Sequence, residues 1–407
     1  MSRRIASVLA LAFLTSAIVF AGDKGRKLDA QALYDNVTAS TQARIATGKL
    51  SGGHIIVAQD GKQVLNACYG YKQMDGKVAL KGNEVYRIAS MTKPVTGLAL
   101  LIEHERGHLN IYDDVSKYLP EFAEMYIIKR DANGNVVRDE NGKPVRGEKA
   151  TNSIKLYQLV SHTSGIGDVG LEGDDMEKCT VAIATEHLSK RLLNFNPGTA
   201  QAYSTGAFDV AARVIELVSG MEFEAYLKKN IFDKLGMTDT TFEPNADQWN
   251  RMVETCARNE RWEAYDIHKS KTHVFETFPM TYHAAGAALA STASDYLKFA
   301  QMFLDGGKGC NGRVIKKKTL KLYSTPVVDD TIMPGSQKWA LGVRVICGEY
   351  PLPETTFGWS GAYGTHFWID PVNKIAAVYM KNSAYDGGAG SQTGNEFEID
   401  VMKSFEK

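Results

Sequence analysis

A serine and a lysine stand three residues apart where a helical pattern begins, in Val85-Tyr-Arg-Ile-Ala-Ser90-Met-Thr-Lys93-Pro-Val-Thr. If the helix starts near Ser90, the hydroxyl and the amine lie on one face, one turn apart. A buried lysine amine can act as a base near neutral pH, and the first N–H groups of a helix stabilise negative charge. The spacing therefore predicts a serine nucleophile that forms a covalent intermediate.

Taken alone, this pattern is weak evidence. Ser-x-x-Lys is expected about once or twice by chance in a chain of this length. A second copy, Ser404-Phe-Glu-Lys407, stands at the extreme C-terminus, where a catalytic site is implausible. Ser90 could also be an ordinary helix N-cap, so other parts of the chain must decide between the two readings.

The composition is that of a globular protein and does not suggest a nucleic-acid partner. Lys and Arg together number 47, as do Asp and Glu, and no basic stripe is present. The five cysteines are widely spaced and form no CxxC, which disfavours a cysteine-rich zinc site. Their disulfide pairing stays open.

Residues 1–21 have the features of a secretory signal peptide. Arg3 and Arg4 provide the positive end, Ile5 to Phe20 forms a short apolar run, and Val19-Phe-Ala21 suits a cleavage site. An uncleaved anchor is the alternative, but the run is short for a membrane span. We therefore expect a secreted or periplasmic protein without stable membrane insertion after cleavage.

Strand patterns lie towards both ends of the mature chain, and helical patterns dominate its middle. We expect strands at 54–58, 63–69, 339–346, 366–370 and 374–380, and helices at 29–47, 90–105, 154–160, 208–219, 223–235, 291–304 and 397–405. This order suggests one mixed sheet with a helical domain inserted between its halves. A site would then lie in the cleft between the two lobes.

A near-repeat between Ile127 and Gly147 predicts a surface hairpin. Two octets, beginning at Arg130 and Arg138, each carry Asn-Gly turn chemistry. Their Asp and Asn spacing hints at calcium, but an EF-type loop would need Gly where Val136 stands and Glu where Gly142 stands.

His104-Glu-Arg-Gly-His108 matches the H-E-x-x-H pattern of zinc proteases. That motif requires both histidines on one helix. Gly107 is the residue expected to end the helix, so we expect His108 outside it and no metal at this position.

Two further stretches could complete a site around Ser90. Tyr203-Ser-Thr205 precedes a helix, and a tyrosine beside a lysine ammonium can share the role of base, although this stretch taken alone favours a core tyrosine with a satisfied hydroxyl. The glycines of Gly358-Trp-Ser-Gly361-Ala-Tyr-Gly364 would let backbone N–H groups approach a ligand. The N–H groups of Ser90 and of a residue in this stretch could then form an oxyanion hole.

Taken in order, these segments resemble the serine β-lactamase and penicillin-binding protein superfamily, in the branch of class C β-lactamases and related carboxylesterases. Ser90-Met-Thr-Lys93 matches the S-x-x-K motif. Further matching segments cover nearly the whole mature chain: Tyr86-Arg-Ile-Ala-Ser, Arg106-Gly-His-Leu-Asn-Ile-Tyr, Leu159-Val-Ser-His-Thr-Ser-Gly165, Pro197-Gly-Thr with Tyr203-Ser, Leu235-Gly-Met-Thr-Asp-Thr and Ala285-Gly-Ala-Ala-Leu-Ala-Ser-Thr.

The resemblance implies an α+β fold, with an antiparallel sheet flanked by helices and an inserted, mostly helical domain. It would span 29–405, with a sheet lobe from about 29–85 and 285–405 and a helical lobe from about 90–280. Ser90, Lys93 and Tyr203 would be catalytic, and the N–H groups of Ser90 and Ala362 would form the oxyanion hole. Trp359, Ser360, Gly361 and Thr205 would bind substrate, without cofactor or metal.

The chain departs from the penicillin-binding pattern at two motifs. Thr205 replaces the Asn of Tyr-x-Asn, and Trp359 replaces the cation of Lys-Thr-Gly, so a partner for the substrate carboxylate is missing. Both features are more similar to the carboxylesterase branch and favour short-chain esters. The alternatives are β-lactamase or D-amino-acid peptidase activity, including DD-carboxypeptidase activity, and a non-catalytic cell-wall-binding relative.

Overall fold

The structure is a computed structural model that describes residues 25–170, 178–258, 261, 263–266, 282–383 and 392–406. The signal sequence expected at residues 1–21 lies outside these ranges. Within them, no helix combines the length and the apolar character that a membrane span requires.

Seven strands form one sheet, in the order β11-β12-β13-β14-β15-β1-β2. Every pairing is antiparallel, which agrees with the family resemblance and corrects the mixed sheet that the order of elements suggested. The strands are β1 (Gly52–Gln59), β2 (Lys62–Gly70), β11 (Gln337–Trp339), β12 (Arg344–Ile346), β13 (Phe357–Ser360), β14 (His366–Asp370) and β15 (Ile375–Met380). Four two-stranded pairs lie outside the sheet: β3 (Tyr86–Arg87) with β8 (Ala290–Ser291), β4 (Tyr126–Ile128) with β5 (Arg146–Lys149), β6 (Cys256–Arg258) with β7 (Ala264–Asp266), and β9 (Lys308–Gly309) with β10 (Gly312–Arg313).

Helices cover both faces of the sheet. The chain forms α1 (Ala30–Ala46), α2 (Thr92–Arg106), α3 (Leu156–Leu159), α4 (Val181–Ser189), α5 (Gly206–Ser219), α6 (Phe223–Leu227), α7 (Asp233–Leu235), α8 (Ala246–Arg251), α9 (Ala293–Leu304), α10 (Lys317–Leu320) and α11 (Gln392–Met402). On one face, α1 and α11 enclose Leu33, Trp368 and Phe397 in a small core. On the other face, α9 packs against β14 and β15 within the main core, which continues through α2 into the helical lobe. Because both faces are covered, β14 and β15 are buried along their whole length, as strands without alternating polarity should be.

Helix α2 lies within the main core, and the predicted nucleophile, Ser90, lies two residues before its start. Residues Thr92 to Glu103 are all buried, and the helix packs against α5. It ends at Gly107, which has the left-handed conformation (φ 79°) that favours glycine. The predicted C-cap is therefore confirmed, and His108 falls outside the helix.

Some element boundaries differ from those that the sequence predicted. The strand expected at 339–346 is two strands, β11 and β12, joined by a turn at 340–343. The helix expected at 223–235 contains a π-helical turn at Lys228–Phe232. The helix expected at 291–304 starts at Ala293, because Ser291 pairs with Tyr86 in the β3–β8 ladder.

The predicted surface hairpin is present between β4 and β5. Each octet is closed by an Asx turn, and in the first turn Asp131 Oδ1 accepts the N–H groups of Asn133 and Asn135 at 2.9 Å each. An equivalent pair of bonds reaches Asp139 in the second turn. The two carboxylates thus serve the turns themselves.

Candidate active site

Ser90 lies in a tight turn between strand β3 and helix α2. The turn, Ala89–Met91, is a single 3₁₀ turn, and Ala89 adopts a left-handed conformation (φ 44°) that is unfavourable for a residue with a Cβ. The turn is held because Ile88 N–H donates to Leu289 O at 3.1 Å. Backbone strain at the residue before a partly exposed serine is typical of a functional position.

Lys93 is fully buried and makes three polar contacts. Its Nζ lies 3.2 Å from Ser90 Oγ, 3.3 Å from Thr205 Oγ1 and 2.8 Å from Gly286 O. A neutral amine has two N–H donors and one lone pair. If the donors bond to Gly286 O and Thr205 Oγ1, the lone pair faces the Ser90 hydroxyl, which is the geometry that a general base needs.

Tyr203 lies beside this pair, but its hydroxyl contacts a different residue. The Lys93 Nζ lies 4.6 Å from the centre of the Tyr203 ring, while the Tyr203 hydroxyl accepts a 3.0 Å hydrogen bond from Trp359 Nε1. Within the described residues, the hydroxyl has no hydrogen bond to Ser90 or Lys93. Tyr203 therefore takes part in the site through its ring, which lies close to Lys93, and through its hydrogen bond with Trp359.

His162 packs against Tyr203 and hydrogen-bonds to the residues on either side of it. No role was predicted for His162 from the sequence. Its carbonyl accepts from Ala202 N at 3.0 Å, its Nδ1 accepts from Ser204 N at 3.1 Å, and its ring packs on the Tyr203 ring at 4.3 Å. Burial, together with the charge of Lys93, holds the pKa of His162 well below its usual value, so the imidazole is neutral. The only sequence feature that could have pointed to His162 was its position in Leu159 to Gly165, one of the segments that resemble the family.

Two tryptophans form an aromatic wall with His162 and Tyr203. The ring centres of Trp339 and Trp359 lie 4.4 Å apart, and Trp339 lies 4.3 Å from His162. Tyr203 remains 45% exposed at the edge of this group. Sequence reasoning placed Trp339 at the start of a strand and missed its role in the site, because its neighbours here are far away in the chain.

The stretch after β13 packs directly against the nucleophile turn. A Cβ on Gly361 would lie 2.3 Å from Ile88 O and 2.2 Å from Thr365 Oγ1, so only glycine fits. Thr365 Oγ1 donates to Ile88 O at 3.2 Å, which stabilises the contact between Gly361 and Ile88. The next residue, Ala362, is exposed, and its N–H donates no hydrogen bond within the described part of the chain. The N–H group that we predicted for the oxyanion hole is thus available for a ligand.

Ser360 differs from the other predicted substrate-binding residues, because its side chain faces away from Ser90. Its Oγ lies 2.7 Å from His366 Nδ1, and His366 Nε2 lies 3.1 Å from Glu398 Oε1. Glu398 also accepts from Arg344 Nη2 at 2.5 Å. Because strand residues alternate between the faces, Trp359 lies on the Ser90 side and Ser360 points towards helix α11. Contact of the Ser360 side chain with substrate has no support in this arrangement, which corrects the prediction for that side chain.

Thr205 does lie in the site. Besides the contact of its Oγ1 with Lys93, its N–H donates to Asp168 Oδ1 at 2.8 Å. The structure thus brings together Ser90, Lys93, Tyr203, Thr205, Trp359, Gly361 and Ala362 from segments spread over most of the chain.

The other candidate patterns do not converge on this site. Ser404 is buried and donates to Asp400 O at 2.6 Å, as a structural hydroxyl does. His108 pairs with Glu103 at 2.6 Å. Glu224, Glu243 and His283 are the one group of three possible metal ligands among the described residues, and His283 pairs there with Glu243 at 2.9 Å. None of the five cysteines forms a disulfide bond in the part of the chain that the structure describes.

Comparison with known proteins identifies the family. The family model named Beta-lactamase matches residues 37–399. Protein Rv1367c of Mycobacterium tuberculosis is 26% identical over 375 residues, covering 85% of this chain and 89% of its own. Two solved structures share the fold. EstCE1, described as a hydrolase with promiscuous acyltransferase activity, has a TM-score of 0.75 and 22% identity, covering 92% of this chain and 99% of its own. A family VIII carboxylesterase has a TM-score of 0.72 and 17% identity, covering 91% and 97%. The chain belongs to the beta-lactamase family and is a serine hydrolase of that family.

Proposed function

We propose that the protein is an exported carboxylesterase that hydrolyses short-chain esters through an acyl-enzyme on Ser90. The observation that carries this proposal is the hydrogen bond from Trp359 Nε1 to the Tyr203 hydroxyl. It places a neutral indole where penicillin binders, as implied by the family pattern, carry a cation for the substrate carboxylate. An ester needs no such cation, whereas a penicillin or a peptide terminus does.

Acylation begins with attack of Ser90 Oγ on the ester carbonyl carbon. Lys93 Nζ accepts the hydroxyl proton as the C–O bond forms, because its lone pair faces Oγ. The carbonyl oxygen becomes an oxyanion, and the N–H groups of Ser90 and Ala362 stabilise its charge. No metal is required for these steps.

Collapse of the tetrahedral intermediate breaks the bond to the alcohol. The proton held by Lys93 then passes to the leaving alkoxide, and the Tyr203 hydroxyl, oriented by Trp359, donates a hydrogen bond to the same oxygen. Water attacks the acyl-enzyme in the reverse sense: its proton goes to the same base, the acid leaves, and Ser90 regains its proton. Each cycle consumes one ester and one water and releases one alcohol and one acid.

The aromatic wall supports an uncharged substrate. Trp359 and Trp339 are buried, at 8% and 3% exposed, and they support Tyr203, which is 45% exposed and offers its ring to a ligand beside Ser90. Such a surface binds an apolar or aromatic group by burial of its area and lacks a charge for a carboxylate. The names of the two similar esterase structures agree with this substrate class.

The direct test is turnover of p-nitrophenyl acetate and butyrate beside nitrocefin and a D-alanyl-D-alanine peptide. We expect ester hydrolysis to exceed the other activities and Ser90→Ala to lose several orders of magnitude in rate. Mass spectrometry after fluorophosphonate treatment should place one adduct on Ser90. Full ester turnover by Ser90→Ala would overturn the mechanism, and nitrocefin turnover above ester turnover would favour the β-lactamase alternative. A Ser90 that never forms an adduct would favour a non-catalytic relative.

Export is proposed from residues 1–21. Fractionation of cells that express the full chain should give a mature protein in the periplasm or medium with its N-terminus at or near Gly22. A full-length protein retained in the cytoplasm would contradict this part of the proposal.

A further inference from the structure

The carbonyl that accepts from Lys93 belongs to a segment far away in the chain. Residues 282–289, here called the anchor segment, run beside helix α2. Thr96 Oγ1 donates to Ala285 O at 2.6 Å, and Lys93 Nζ donates to Gly286 O at 2.8 Å. Leu289 N–H donates to Thr92 Oγ1 at 3.1 Å. The direction of the Lys93 amine therefore depends on the position of the anchor segment.

The carboxylate of Asp209 is buried and also hydrogen-bonds to the anchor segment, in addition to the bonds from helix α2. Asp209 lies in the first turn of α5 and has no exposed surface. Its Oδ1 accepts from Ala285 N at 2.8 Å, and its Oδ2 accepts a short hydrogen bond from the Tyr282 hydroxyl. Both bonds end on the anchor segment, one residue and four residues before Gly286.

Asp209 has no ion-pair partner among the described residues, which is costly for a buried carboxylate. Burial raises its pKa to about 7, although the bonds from Tyr282 and Ala285 and the charge of Lys93 act in the opposite direction. Asp168 adds a like charge, and Cys179 and Tyr282 are the other titratable groups near it. The two hydrogen bonds to Ala285 and Tyr282 give the buried Asp209 carboxylate a structural role, because they fix the position of the anchor segment.

We propose that Asp209, with Tyr282, is a positioning residue for Lys93. By fixing the anchor segment, the pair holds the Gly286 carbonyl where it accepts one N–H of Lys93, so that the amine presents its lone pair to Ser90 when it acts as the base. This inference rests on the proposed function, in which Lys93 is the base for Ser90. Asp209 and Tyr282 act through the anchor segment and not by contact with the substrate.

The geometry makes the arrangement sensitive to small movements. A shift of about 1 Å in the Gly286 carbonyl would let the amine rotate, and misplacement on that scale can cost about 100-fold in rate. The Gly286 backbone packs closely against Thr205, since a Cβ added at Gly286 would lie 2.8 Å from Thr205 Cγ2. The position of the carbonyl is therefore set by Asp209 on one side and α2 on the other.

The test measures the rate at which a fluorophosphonate labels Ser90, and kcat and KM for p-nitrophenyl butyrate. Asp209→Ala removes both bonds, and we expect a fall of about 100-fold in labelling rate and kcat with KM changed by less than about threefold. Asp209→Asn keeps the shape and can keep both bonds, since its Oδ1 accepts from Ala285 and its Nδ2 can donate to Tyr282. We expect this variant to recover to within about tenfold of wild type. Tyr282→Phe should lose about three- to tenfold in kcat.

Asp295→Asn is the matched control. Asp295 is also a buried carboxylate in the first turn of a helix, α9, and accepts from Asp239 N at 2.7 Å, but it has no bond to the anchor segment. Its variant should lose stability while the labelling rate stays at the wild-type value. Circular dichroism and thermal melts establish which variants are folded.

The outcomes separate this inference from the proposed function. A folded Asp209→Ala that labels at the wild-type rate overturns the inference alone, as does an Asp209→Asn that is as slow as Asp209→Ala. If Asp209→Ala does not fold, a Tyr282→Phe with unchanged kcat overturns it. Wild-type protein that is never labelled at Ser90 overturns the proposed function and this inference with it.

Discussion

The indole Nε1 of Trp359 donates a 3.0 Å hydrogen bond to the hydroxyl oxygen of Tyr203. This contact joins the two motifs at which the chain departs from the penicillin-binding pattern. A single neutral donor now orients the tyrosine hydroxyl, and the hydroxyl proton is left free to point towards the substrate.

Replacing Trp359 tests this contact. Trp359→Phe keeps an apolar ring but removes the donor, so we expect kcat for p-nitrophenyl butyrate to fall by about tenfold while KM changes little. Trp339→Phe is the control, because Trp339 has ring contacts with the site and no hydrogen bond to Tyr203; its effect should fall mainly on KM. A Trp359→Phe variant with wild-type kcat would contradict the role of the hydrogen bond.

Lys93 should be required as a base and not only as a charge. Lys93→Met and Lys93→Arg should both lower the rate of Ser90 labelling by a fluorophosphonate by about 1,000-fold or more, because a guanidinium stays protonated and cannot accept the serine proton. Retention of labelling in Lys93→Arg, but not in Lys93→Met, would show that a positive charge suffices.

His162 should act through the backbone on both sides of Tyr203. His162→Ala removes the acceptor for Ser204 N–H and the ring beneath Tyr203, so we expect a fall of about 10- to 100-fold in kcat. His162→Asn should be milder, since its Oδ1 can accept in place of Nδ1 and Asn tolerates the left-handed backbone at this position (φ 62°). Equal kcat values for wild type and a folded His162→Ala would refute this role.

Gly361→Ala should damage both stability and catalysis. The added Cβ would clash with Ile88 O and Thr365 Oγ1 and push the Ala362 turn away from the nucleophile turn. We expect a loss of about 2–3 kcal/mol in unfolding free energy, measured by denaturant titration, and a large loss of kcat. Gly348→Ala is the control, since a Cβ there would meet only Ser336 at an ordinary 3.4 Å. Wild-type stability of Gly361→Ala would show that the two turns can separate freely.

Glu398 should make stability depend on pH in the acid range. Burial alone would raise its pKa, but the hydrogen bond from His366 and the charges of Arg344 and His366 outweigh burial and lower the pKa to about 2. A lowered pKa means that the contribution to stability is present above the ordinary value near 4.5 and is lost as pH falls towards 2.

Glu398→Gln should therefore cost about 3 kcal/mol at pH 7, and the difference from wild type should shrink between pH 4.5 and 3. Denaturant titrations at pH 7, 5 and 3 would measure it. Glu396→Gln, on the same helix but in a partly exposed pair with Arg44, should cost less than about 1 kcal/mol at every pH. A pH-independent difference for Glu398→Gln would contradict the assignment.

The parts of the site that follow from local chain geometry were predicted from the sequence. Ser90 and Lys93 are three residues apart, so a helix start alone places them together, and Gly107 ends that helix because of its own backbone freedom. The predicted strands β1, β2 and β15 are local in the same sense. The predicted boundaries of helices and strands were wrong where a tertiary contact overrode the local pattern. An example is Ser291, which was predicted to start a helix and instead pairs with Tyr86 in a strand.

The remaining parts of the site were decided by the tertiary structure. The sequence contains Trp339, His162, Asp209 and Gly286, but no local pattern marks any of them as part of the site, since each takes its role from a partner far away in the chain. The same is true of Ser360, whose hydroxyl contacts His366, its partner on the neighbouring strand. The sequence by itself predicted Ser90 as the nucleophile and Lys93 as its base, because one helical turn sets the distance between them and further segments match the same family. The direction of the Lys93 amine and the donor to Tyr203 were decided only when the sheet, α2, α5 and the anchor segment packed together, because hydrogen bonds between distant segments exist only in the folded chain.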